Sequence, residues 1–127
     1  MSYTHANDSI PKSVILYTPY TKISVSPGAS IDYSIDLINN TDQLMNANLS
    51  VSGLSASWKH EMKSGGWSLS QLSVLPKEKK TFNLKVEVPL KVNKGNYHFV
   101  VYAGNAKLPL DVVVAQKGTY QTEFTTD

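Results

Sequence analysis

The 127-residue chain has no cysteine, which excludes a disulfide framework and any thiolate metal site. It has almost no charge imbalance, with 12 basic against 10 acidic residues. A net charge of +2 is too small for a nucleic-acid partner, which would require lysine and arginine gathered on one face. The densest basic group, Lys77, Lys79 and Lys80, is broken by Glu78 and follows Pro76 directly, as expected of a solvated turn. No apolar run approaches the roughly 20 residues that a bilayer requires, so no membrane insertion is expected. No basic stretch followed by an apolar one opens the sequence, so no signal peptide is expected. Met1 is expected to precede a piece of a longer chain.

Helical periodicity is also lacking. What is present is alternation. From Thr81 to Val88 apolar and polar residues alternate without a break and stop at Pro89. Phe82, Leu84, Val86 and Val88 would line one face of a strand, with Thr81, Asn83, Lys85 and Glu87 on the other. Val14 to Val25 reads as a first strand bent at Pro19, an outer strand able to switch sheets. Ser30 to Ile38 places Ile31, Tyr33, Ile35 and Leu37 on one face, and Asn39 to Asp42 turns the chain. Asn46 to Ser52 follows. Ser57 to Lys63 is next, with Trp58, His60 and Met62 facing one way. Gly65-Gly66 is a hairpin turn, Trp67 to Leu75 a short irregular strand, and Tyr97 to Ala103 and Lys107 to Val114 the last two.

This spacing predicts an all-β chain, an immunoglobulin-like β-sandwich of seven to nine antiparallel strands occupying residues 13–115. Residues 1–12 read as an N-terminal linker. Residues 116–127 read as a C-terminal linker or, given Tyr120 and Phe124 among threonines, as the start of a following module. The last two strands carry apolar residues on both faces. If they pair, Val100, Tyr102 and Val113 are expected to form an outer patch that meets a neighbouring domain of the same chain.

The order of turns carries a resemblance. Ser26-Pro27-Gly28 leads into the Ile31 strand, which ends in Asn39-Asn40-Thr41. Gly53 and Trp58 follow, then Leu75-Pro76 with a charged turn into Phe82, Val88-Pro89, and Gly95-Asn96-Tyr97. Over Tyr20 to Val114 the series resembles the NEW-type domain associated with alpha-galactosidases and carbohydrate-binding modules. It departs from that pattern before Trp58, where Gly53-Leu54-Ser55-Ala56-Ser57 replaces a Pro-x-Gly approach. The resemblance implies an Ig-like accessory or spacer module of prokaryotic surface or secreted proteins, with no catalytic residues to carry over.

Candidate chemistry is sparse. His5, His60 and His98 form no ligand spacing; His60 is expected to be partly buried beside Trp58 and Met62, and His98 to lie at the surface. No Gly-x-Ser-x-Gly elbow is present. Asp32 and Asp36, four residues apart on one strand face, would stand about 13 Å apart, too far for the paired carboxylates of a retaining or inverting glycosidase. Phosphate loops and calcium loops are absent, so no cofactor and no metal are expected. Sequons at Asn7, Asn39 and Asn48 read as chance in an Asn- and Ser-rich chain. Trp67, just past Gly65-Gly66, is the best candidate for stacking on a sugar; Tyr17 and Tyr20 are weaker ones.

The function expected is therefore non-enzymatic: a spacer or interaction module of a larger extracellular, cell-surface or periplasmic protein. Alternatives are a carbohydrate-binding accessory module attached to a glycoside hydrolase, and a module that accepts a partner strand at an open edge.

Overall fold

In a computed structural model, residues 13–115 are described. The expected linkers, 1–12 and 116–127, lie outside the described residues. Ten strands follow one another: β1 (Val14–Tyr17), β2 (Lys22–Val25), β3 (Ser30–Asn39), β4 (Met45–Ser52), β5 (Lys59–Ser64), β6 (Trp67–Ser68), β7 (Gln71–Val74), β8 (Lys79–Glu87), β9 (Gly95–Ala103) and β10 (Ala106–Val114). They form two five-stranded sheets, β1-β3-β8-β5-β6 and β2-β10-β9-β4-β7.

The strand count exceeds seven to nine because two expected strands are each divided between the sheets. At Pro19, which cannot donate to a ladder, the chain leaves the first sheet, where β1 pairs with β3. It joins the second, where β2 runs parallel to β10. That parallel pair is the exception to the antiparallel pairing of all the others. The same happens after Trp67: β6 pairs with β5, and three residues later β7 pairs with β4. Leu69 N–H still bonds the Met62 carbonyl of the first sheet, and Leu49 N–H of the second bonds the Ser70 carbonyl. These two crossings carry the backbone from one sheet to the other.

Alternation decides what lies between the sheets. Tyr33, Ile35, Leu37, Phe82, Leu84, Val86, Phe99, Val101, Leu110, Val112 and Val114 are fully buried. Tyr33 and Phe99 meet edge to face across the core at 6.1 Å. Trp58 sits one residue before β5 rather than on it, and is buried against Tyr97 with ring centroids 4.8 Å apart. Tyr97 is in turn held by its hydroxyl, which donates to the Asn93 carbonyl at 2.7 Å.

One polar side chain closes an end of the core. Asn39, at the last position of β3, is 0% exposed. Its amide donates to the carbonyls of Gln43 at 2.7 Å, Val74 at 3.0 Å and Leu75 at 3.1 Å. Its carbonyl oxygen accepts from the Thr41 N–H at 3.1 Å and the Thr41 hydroxyl at 2.6 Å. Asn39 thus ties the end of the first sheet to β7 of the second.

Beside it, Leu75-Pro76-Lys77-Glu78 forms a tight turn closed by a Glu78 N–H to Leu75 carbonyl bond. Lys77 takes a φ of 62° there, a conformation that costs a side-chain-bearing residue roughly 1 kcal/mol and suits glycine. Its ion pair with Asp42, at 3.5 Å with both side chains more than half exposed, offsets little. Lys77→Gly is expected to raise stability by about 0.5–1 kcal/mol, read as a higher denaturant midpoint with an unchanged slope.

Candidate functional site

The edge of the first sheet at β5 and β6 gathers the residues best suited to contact a ligand. Gly65 and Gly66, with φ of 59° and 86°, supply the two positive-φ positions of a tight hairpin, and Ser64 pairs with Trp67 across it. The two-residue β6 ends the sheet, leaving the Trp67 indole 76% exposed. Beside it, Ser68 donates its hydroxyl to the Glu61 carboxylate.

Between β5 and β4 the sheets part to leave a cleft of ≈ 270 Å³, lined by Ser50, His60, Glu61, Ser68 and Ser70 over a floor that includes Met62 and Leu69. This cleft corrects the expectation for His60. Its strand position has the inward parity of Met62, yet His60 is exposed, because the cleft opens at that position. A second depression of ≈ 350 Å³ wraps the same edge from outside, lined by Lys59, His60, Glu61, Lys63, Lys85 and Glu87.

The outer patch expected from Val100, Tyr102 and Val113 is divided by register. Val113 stands opposite Asn96, Val100 opposite Pro109 and Tyr102 opposite Lys107. Between the first two rows His98 faces Asp111, their side chains 3.0 Å apart. Val113 therefore lies roughly 20 Å along the ladder from Tyr102, with a polar pair in between. Val100 and Tyr102 do share a face, next to Ser52 and Ser50 of β4, and all three residues are half-buried.

The remaining candidates are dispersed. His60 on β5 and His98 on β9 belong to different sheets. No group of three or more His, Asp or Glu among the described residues is placed to hold a metal ion. Asp36 accepts a bond from the Thr81 hydroxyl at 2.7 Å, and Asp32 pairs in register with Lys85. Burial, with the charge of Asp111 adding to it, pushes the Tyr33 phenol up to about 12. Tyr17 and Tyr20 are exposed on either side of Pro19. Of the sequons, Asn39 is buried and Asn48 accepts from the Gln71 amide at 3.1 Å; Asn7 lies outside the described residues. No described helix is long and apolar enough to cross a membrane.

Sequence reasoning missed the contribution of Asn39 and the placement of the poles. The chain comes in at the Asn39 pole, where Asn40 N–H bonds the Ser13 carbonyl. It leaves at the opposite pole, where Ala115 N–H bonds the Val25 carbonyl just before the Pro27-Gly28 turn. The ten-residue β3 runs between the two, a span of about 30 Å.

No protein-family model matches the chain, and no curated protein matches it in sequence. Solved structures do. A family 123 glycoside hydrolase from Clostridium perfringens is similar at 11% identity and a TM-score of 0.56, over 75% of this chain and 23% of that one. The SrpA adhesin of Streptococcus sanguinis is similar at 13% identity and a TM-score of 0.56, over 85% of this chain and 60% of that one. Domains 4 and 5 of the S-layer protein SbsC match at 14% identity and a TM-score of 0.52, over 79% of this chain and 50% of that one. This chain therefore spans between about a quarter and three-fifths of these three chains. At these identities the likeness is one of fold: the chain is an immunoglobulin-like β-sandwich.

Proposed function

We propose that this sandwich is a non-catalytic spacer and interaction module of a larger cell-surface or secreted protein, of the NEW-type kind that its ordered turns resemble. The observation that carries the reading is the placement of residues 13 and 115 at opposite poles. A module built this way adds its full length to any chain in which it is inserted, and successive modules extend rather than fold back. Its similarity to parts of an adhesin and of an S-layer protein supports an extracellular setting. A tandem of two copies joined through residues 116–127 tests it by small-angle X-ray scattering. The second copy is expected to lengthen the particle by roughly 30–40 Å, the length of one sandwich. A side-by-side pair with little added length would overturn the reading.

A second reading, a carbohydrate-binding accessory module, is favoured by one feature: an indole 76% exposed beside a cleft that offers His60, Ser68 and Ser70. Such a ring can stack on a pyranose while the polar groups bond its hydroxyls. Trp67→Ala is expected to change stability by less than about 0.5 kcal/mol and to weaken binding of any glycan that binds here at least about tenfold. Titration of wild type and variant against a glycan array separates the readings. A glycan bound equally by both proteins would remove Trp67 from the site, and no binding by wild type leaves the spacer reading alone.

A further inference from the structure

The spacer reading uses the two poles of the sandwich and leaves its flank unexplained. Along that flank one sheet edge is incompletely paired. β5 lies in register with β8 from Lys59 to Lys63, but on its other side β6 pairs only with Lys63 and Ser64. Leu69 N–H then bonds the Met62 carbonyl, and the chain crosses to the second sheet. Among the described residues, no strand therefore covers Lys59, His60 and Glu61 from that side. The Met62 carbonyl shows which way the backbone points. Every second residue of a strand turns its N–H and C=O to the same side, so His60 aims both groups away from β8. All three residues are exposed.

Such an edge takes up another strand unless its side chains prevent it. Lysines alone would repel a second copy of the chain. Here Glu61 stands between Lys59 and Lys63, and this alternation makes the edge self-complementary. Only one antiparallel register pairs all three free residues with the same three of a second copy. It sets His60 opposite its own copy, Lys59 opposite Glu61, and Glu61 opposite Lys59. The rows behind these residues fit as well. Lys85 lies opposite both Asp32 and Glu61, and Glu87 opposite both Ser30 and Lys59. Across the joined sheets a row would read Asp32, Lys85, Glu61, then Lys59, Glu87 and Ser30 of the second copy, alternating in sign at every charged step. The two-fold axis at His60 generates the second, identical row. Lys63, 3.8 Å from Glu61, falls opposite Ser57 of the second copy. Like charges meet only on the diagonals, about 7–8 Å apart, against about 4.5–5.5 Å for the directly opposed pairs.

We propose that this flank is a contact between two copies of the chain, in which the free edges of β5 pair antiparallel about His60 and join the two first sheets into one. Backbone hydrogen bonds between the two His60 residues and two Lys59–Glu61 pairs hold it. With three residues from each edge the contact is far smaller than a standard interface, so association is expected only at about 0.1–1 mM. The inference is independent of the spacer reading, which concerns the poles.

Sedimentation equilibrium of the full 127-residue chain at neutral pH tests it, from about 10 µM to about 1 mM. The mass of wild type is expected to rise from monomer toward dimer. Lys59→Glu and Glu61→Lys should each stay monomeric, because each sets like charges opposite one another. An equimolar mixture of the two variants should regain at least the wild-type dimer, since an edge with two glutamates then meets one with two lysines. Mixing repairs only a contact between chains, so strain within either variant cannot produce that result. A wild type that stays monomeric throughout would overturn the proposal. So would a dimer that survives either substitution, which places it elsewhere, or a mixture that remains monomeric, which excludes the register. Both side chains are exposed, so each variant is expected to fold, and its melting curve checks this.

Discussion

Asn39→Ala is expected to lower the stability of the fold by about 3–4 kcal/mol, read as a fall in the denaturant midpoint with an unchanged slope. The side chain is fully buried and makes five hydrogen bonds, three as donor and two as acceptor. Truncation removes all of them and leaves the Val74 carbonyl without its buried donor. Against a total stability of about 5–15 kcal/mol for a domain of this size, the loss approaches the threshold for folding.

Asn39→Asp adds a sign that alanine lacks. An ionised carboxylate only accepts, and it would face three carbonyl oxygens. The folded state therefore disfavours its charge and raises the new carboxyl above its unfolded value of about 3.9. Such a group is least damaging below that unfolded value. As the pH rises through the window up to the folded value, stability falls by up to about 1.4 kcal/mol per pH unit. Melting from pH 3.5 to pH 8 checks this: a variant as stable at pH 8 as at pH 3.5, relative to wild type, would show that Asn39 does not bridge the sheets as described.

The second large effect is expected at Phe82. Phe82→Ala should cost about 3–5 kcal/mol, the usual range for emptying a fully buried aromatic site. Phe82 is 0% exposed and lies in register with Ile35 of the same sheet, also 0% exposed, so the neighbour that borders the emptied space is held in place by its own ladder. Three residues on, Lys85 faces outward between Asp32 and Glu61. Lys85→Ala should stay within about 0.5 kcal/mol of wild type, because exposed charge pairs contribute little. Equal losses at the two positions in urea unfolding would contradict the inward and outward faces of β8.

These two residues differ in how legible they were. Phe82 is readable because a strand's side chains alternate with period two whatever the strand pairs with; the period alone orients Phe82, Leu84, Val86 and Val88, all of them buried. Asn39 offers no such signal. In sequence it is one of several turn-forming residues, and its partners Val74 and Leu75 lie 35 and 36 residues away. The candidate site divides in the same way. The Gly65-Gly66 turn exposes Trp67 by local geometry, and this could be read directly. His60 could not be placed by its parity, since its exposure depends on a cleft between β5 and β4. The grouping of Val113 with Tyr102 failed because faces follow from alternation, whereas distance along a ladder follows from register.

The sequence by itself determined an all-β sandwich, the inward residues of the long strands, and the turns at Pro27-Gly28 and Gly65-Gly66. All of these follow from backbone geometry within a few residues. Only the tertiary structure decided which sheet each half of the divided strands joins, that Asn39 links those sheets, and that the chain comes in at one pole and leaves at the other. Each of these depends on contacts between segments far apart in sequence, and local period carries no record of which segments those are.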